Sequence, residues 1–207
     1  MSSDGLAYRD EGDPEDPAVV LLHGPEGDDD PWAEVATLLS PWMRVISVGS
    51  IGDVDATPRE DAVRVQALLR VLRVTRYAVA GEGAGGPVAQ VLALDGAAEA
   101  MVLVGSPWLE GADGSLGSLE VPALVVYGED DPTLPATALA ERFAEILPMA
   151  SVAMLPGRGN ALLREAPETV VPLVFQWLRS RYLKVPHAHD GGPVVVELGR
   201  RPPEDPA

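Results

Sequence analysis

An α/β fold on a mainly parallel sheet is the expectation from this sequence, and three observations carry it. Short Val-rich apolar runs recur at 19–22, 45–48, 77–80, 100–104, 123–127 and 151–155, bounded by Gly, Pro or Asp in the manner of buried strands. Amphipathic stretches of helical spacing lie between them. Strands that alternate with helices pack as βαβ units, whose crossovers force neighbouring strands to run parallel.

Taken in order, residues 6–9 read as an additional edge strand ahead of the first buried run. A helix is expected directly after Asp30, which caps it, with Pro31 at the first helical position. The next opens at Thr57, where Thr57, Pro58 and Glu60 spell a capping box with proline at N1. Its apolar positions Val63, Val65, Leu68, Leu69 and Leu72 suggest a broad buried face. Further helices are expected at 88–94, 136–147 and 167–183, the last with Pro172 inside it as a potential kink. Beyond residue 183 the composition changes. Residues 185–192 read as a turn-rich linker, 193–198 as a short strand and 200–207 as a segment without order. The expected organisation is therefore a domain over 1–183 and an extension over 184–207, with no internal repeat.

Composition narrows the function classes. A chain of 207 residues with 46% hydrophobic content fits one domain with a sizeable core. Its 32 acidic and 15 basic residues give a formal net charge of −17, which repels phosphate backbones and anionic bilayers, so no nucleic-acid or membrane partner is expected. There is no cysteine, which excludes disulfides, thiolate metal ligands and a Cys nucleophile. The first 12 residues lack the basic-then-apolar layout of a signal peptide. No apolar run approaches the roughly 20 residues of a membrane span. A cytoplasmic location is expected, and the Ala, Gly, Pro, Arg and Val bias is that of a GC-rich bacterial genome.

Local motifs then recur in a telling order. Leu21, Leu22, His23, Gly24 and Pro25 end an early strand. Ala80, Gly81, Glu82, Gly83, Ala84, Gly85 and Gly86 form a strand, a glycine turn and a helix start. Tyr127, Gly128, Glu129, Asp130, Asp131 and Pro132 follow a later strand; Leu155, Pro156, Gly157, Arg158, Gly159 and Asn160 follow the last, ahead of Glu165, Ala166, Pro167 and Glu168. Together these resemble the α/β-hydrolase superfamily over residues 6–183. The resemblance implies a three-layer α/β/α sandwich. It also implies a capless member, because residues 107–120, where many relatives insert a helical cap, form only a short Gly- and Ser-containing connection.

The family's chemistry needs a Ser on the sharp turn of G-x-S-x-G, exposed above the sheet, and an acid that orients a proton-accepting His. By this resemblance Gly81 and Gly85 match the flanking glycines, the nucleophile position is Gly83, Asp131 matches the acid, and the His position is Asn160. Glycine has nothing to attack with, and an amide is no base near neutral pH. Loss of one triad member already leaves only about 10³–10⁴-fold catalysis over water. Of the two oxyanion donors the family uses, Ala84 keeps its N–H, but Pro25 has none, a loss of about 10²–10³ in rate even for a competent enzyme. The expectation is a fold without serine hydrolysis, a pseudoenzyme.

Other readings stand beside this one. Asp131 is either a structural loop carboxylate or a ligand contact, and Asn160 either hydrogen-bonds Asp131 or meets a ligand. His23 reads as a residue bonded within its own loop more readily than as a base. His187 and His189 lie in the tail and would need to fold over the site. The acidic Glu26, Asp28, Asp29 and Asp30 lack calcium-loop spacing, so no metal is expected. Gly81, Gly83 and Gly86 also fit a dinucleotide fingerprint, but no acidic residue ends the next strand, so no cofactor is expected. Three functions follow. The first is binding of a small molecule or protein partner at the degenerate cleft, with His23, Pro25, Glu82, Gly83, Ala84, Ser106, Asp131 and Asn160 as candidate contacts. The second is a cofactor-independent lyase, isomerase or cyclase using Asp131, Glu82 or His23. The third is an esterase or thioesterase with a triad relocated to Ser106. Residues 193–198 are a candidate for strand addition to a sheet edge, within the molecule or in a homodimer.

Overall fold

A computed structural model of the chain describes residues 6–25, 30–49, 51 and 56–184. Residues 26–29, and the tail with His187, His189 and 193–198, lie outside the described residues.

Seven strands form one sheet in the order β1-β3-β2-β4-β5-β6-β7. β1 (Tyr8–Glu11) runs antiparallel to β3 (Arg44–Val48). All other pairs are parallel: β2 (Ala18–Leu22), β3, β4 (Tyr77–Glu82), β5 (Ala98–Val104), β6 (Ala123–Gly128) and β7 (Ala150–Leu155). The unbroken apolar runs are explained by burial on both faces, as a parallel sheet covered by helices requires. Val20 and Leu22 point into one core with α2 (Pro58–Val71), α3 (Gly85–Leu94) and α5 (Ala136–Ile146). Val19 and Leu21 point into the other, with α1 (Ala33–Leu39) and α7 (Pro167–Arg181). This is the three-layer sandwich.

Local chemistry explains most element boundaries. Thr57 caps α2 as expected: its Oγ1 accepts from Glu60 N–H at 3.2 Å, and the Glu60 carboxylate accepts from Thr57 N–H at 2.8 Å. Ala62, Val65 and Leu69 are buried, and Leu68 and Leu72 pack half-buried against the same core, as expected. Val63 departs from that face and is 51% exposed, because it lies on the opposite side of the helix. α1 begins at Ala33, later than Pro31. Asp30 Oδ1 accepts from Trp32 N–H at 2.9 Å, making a turn that swings the buried Trp32 indole onto Leu22 O at 3.0 Å. β1 starts at Tyr8, two residues later than expected, since its ladder with Val48 begins there. Pro172 lies inside α7 without ending it.

The connection over 107–120 holds only the single turn α4 (Asp113–Leu116), and another single turn, α6 (Leu162–Glu165), precedes α7. Neither was legible in the periodicity. The connection is packed down. Trp108 lies against Phe143 of α5 with ring centroids 4.6 Å apart. Its indole N–H donates to Asp113 at 2.9 Å, and the Arg142 guanidinium stacks over it at 4.4 Å. Among the described residues, no helix is long and apolar enough to cross a membrane.

Candidate functional site

Parallel topology brings the C-terminal ends of β2, β4, β5, β6 and β7 to one edge of the sheet, where such folds place their ligands. At the centre, β4 turns into α3 through Gly83, which adopts φ +52°. That is the left-handed region, where a residue without Cβ carries no strain. Gly83 N–H donates to Val104 O at 3.1 Å, and Gly86 N–H donates to Gly83 O at 3.0 Å. A side chain at Gly83 would nonetheless find room, since a Cβ built there meets no atom within 4 Å. Gly85 has the opposite reason to be glycine: a Cβ would lie 2.5 Å from Leu22 O. The turn thus has open space at its apex. Ala84, at the start of α3, stands beside Gly24, and Pro25 beyond it is exposed. Glu82 ends β4 half-buried, in register with Val104.

Asp131 follows β6, and its carboxylate serves its own loop. Oδ1 accepts from Thr133 N–H at 2.7 Å, Thr133 Oγ1–H at 2.7 Å and Leu134 N–H at 2.9 Å. Oδ2 is buried and has no partner among the described residues. Asn160 follows β7 and does not bond Asp131, contrary to one sequence expectation. Its Nδ2 donates to Thr133 Oγ1 at 3.3 Å, so Thr133 stands between the two. The Asn160 loop is held from below by Glu165, whose carboxylate accepts from Gly159 N–H at 2.7 Å and Ala161 N–H at 3.3 Å. Thr133 was missed by sequence reasoning, and Glu165 entered it only as part of a motif, without a role. The D-x-T spacing of an Asx turn was the available signal for Thr133, and nothing local pointed to the role of Glu165.

Two further candidates have other places. Ser106 is fully buried beneath α3, its hydroxyl donating to Pro107 O at 2.9 Å and lying 3.4 Å from Gln90 Nε2. The Tyr127 hydroxyl donates to Ser106 O, and burial pushes that phenol well above its ordinary pKa. The missing Cβ at Gly86 is what lets α3 settle onto Ser106, so a nucleophile or ligand contact there is contradicted by its burial. His23 is bonded within its loop as expected: Nδ1 donates to Gly24 O at 2.9 Å. Its Nε2 lies 4.0 Å from Asp30, which in turn faces Arg9 at 3.7 Å.

At least two recesses are present among the described residues. One of about 220 Å³ is lined by His23, Asp30, Arg9, Ser47 and Gly49. The other, about 360 Å³, lies at the opposite end of the sheet around Arg44, Arg73, Glu99 and Tyr182. Neither is lined by Gly83, Asp131 or Asn160. Among the described residues no group of three or more His, Asp or Glu is placed to hold a metal.

No family model matches the chain. No curated protein is similar in sequence. Solved structures are similar in fold. The carboxylesterase CesB of Bacillus subtilis superposes with a TM-score of 0.74 at 17% identity, over 90% of this chain and 91% of that one. An acetate complex of the meta-cleavage product hydrolase of Pseudomonas fluorescens gives 0.74 at 16%, over 84% and 93%. A CIB-like hydrolase of Thermoplasma acidophilum gives 0.71 at 19%, over 85% and 100%. The chain therefore has the α/β-hydrolase fold. At these identities the likeness extends to architecture alone.

Proposed function

We propose that this protein is a non-hydrolytic member of the fold that acts by binding, with a small molecule or a protein partner seated on the rim formed by Pro25, Gly83, Ala84 and Asn160. The observation that carries this reading is the elbow. It retains the turn, the left-handed φ of +52° and clear space at its apex, yet offers no atom that can attack a carbonyl. The lack of an N–H at Pro25 and of a base at Asn160 supports the same reading. The structural neighbours are hydrolases by name, and the residues such chemistry needs are those replaced here. Chemical-shift mapping tests the proposal with a panel of short acyl esters, carboxylates and aromatic fragments, and with partners recovered by crosslinking. Shifts clustered at Gly83, Ala84 and Asn160 are expected. Shifts confined to the recess around Tyr182, or none with any probe, would contradict it.

One observation favours a second reading, cofactor-free acid–base catalysis. Asp131 Oδ2 is a buried acceptor with no donor among the described residues, a costly arrangement that a substrate N–H or O–H would relieve. Under this reading Asp131→Asn abolishes turnover while the fold survives.

A further inference from the structure

Among the described residues the sheet ends at β7, and the backbone there has a definite polarity. Ala123 N–H donates to Met149 O at 3.1 Å, and Glu129 N–H donates to Leu155 O at 3.0 Å. Alternate residues of a strand turn their polar groups to the same side, so residues 149, 151, 153 and 155 address β6. The N–H and C=O of Val152 and Met154 accordingly face away from the sheet, while Ala150 N–H is taken by Leu147 O at 3.2 Å. Edges of this kind are normally guarded by charge, proline or shortness. β7 has none of these: it is six residues long, reads Ala-Ser-Val-Ala-Met-Leu and is half-buried throughout, with Met149 50% exposed at its start. The opposite edge is guarded, since three of the four β1 residues are charged.

The chain itself supplies an occupant. After α7, Tyr182 lines a recess with Ala18, Arg44 and Glu99, at the end of the sheet where the parallel strands begin. β7 lies two strands from β5, about 10 Å at the usual strand spacing. Residues 185–192, which follow, can span up to roughly 26 Å. Residues 193–198 are Pro-Val-Val-Val-Glu-Leu, β-branched and nearly uncharged. Tethering presents this segment at an effective concentration on the order of millimolar. A second copy would instead approach with its own net charge of −17 and be repelled.

We propose that residues 193–198 add to the open edge of β7 in the same molecule, exchanging backbone hydrogen bonds with Val152 and Met154. Hydrogen exchange on the full chain tests this at dilute concentration, with V194P/V196P as comparison because proline removes the donors and resists the ladder. The Val152 and Met154 amides should exchange about tenfold or more slowly in wild type than in the variant, with the Val79 and Val102 amides of the central strands protected in both. Unprotected Val152 and Met154 amides in wild type, or equal protection in both proteins, would overturn the proposal. So would protection that grows with protein concentration alongside a doubled mass in light scattering, which assigns the edge to a second copy.

Discussion

At the residue scale, Gly83 and Asp131 offer two separate tests. Gly83 has open space where a side chain would stand, so Gly83→Ser should fold. Its cost is the left-handed backbone, about 1–2 kcal/mol, readable as a shift in urea midpoint; a failure to fold would mean the apex is not free. The Asp131 carboxylate holds its own loop. Because Oδ1 accepts from two backbone N–H groups and the Thr133 hydroxyl, Asp131→Ala should destabilise by about 1–3 kcal/mol. An unchanged denaturation midpoint would deny the loop-holding role. Gly83 and Asp131 were legible because their motifs are local and short. The relay from Asn160 through Thr133 was not, since it joins loops after different strands. Ser106 misled for a similar reason: a serine at a strand end looks accessible until the helix above it lacks the Cβ that would hold it off.

At the element scale, the connection over 107–120 behaves as part of the core. Trp108 is 5% exposed and packed on Phe143, so Trp108→Ala should cost about 3–5 kcal/mol; a loss below about 1 kcal/mol would show a detachable loop. The same cluster sets a pH signature. Hydrogen bonds from Arg142 hold the Asp113 carboxyl below its ordinary 3.8. A depressed folded-state value contributes stability that is present above the ordinary value and lost as pH falls through the depressed one. Arg142→Gln should therefore differ most from wild type near neutral pH, and the gap should narrow in acid. A gap that widens in acid would reverse the assignment. Strands were read closely from the sequence because double-sided burial leaves continuous apolar runs. The α2 start was equally clear from Thr57 and Glu60. Single turns such as α4 and α6 are shorter than any period, and the α1 start depended on how Asp30 turns Trp32 inward.

At the scale of the whole molecule, a net charge of −17 on this chain means the folded state carries self-repulsion that salt screens. The melting temperature should rise from low salt to about 0.15 M ionic strength, and a fall would indicate that specific ion pairs outweigh the repulsion. The order of motifs along the chain foretold the sandwich, because parallel crossovers leave few topologies. The recesses were not foretold, since each gathers residues from several distant segments. The proposed binding role requires an α/β-hydrolase fold without serine-hydrolase chemistry. Fluorophosphonate labelling combined with an activated-ester assay tests it most directly, on wild type and G83S/N160H side by side. Wild type should remain unlabelled and match buffer, while the double variant, which carries a hydroxyl and an imidazole at these positions, should take the label at position 83. Labelling of wild type at any serine, with turnover above buffer, would contradict the account.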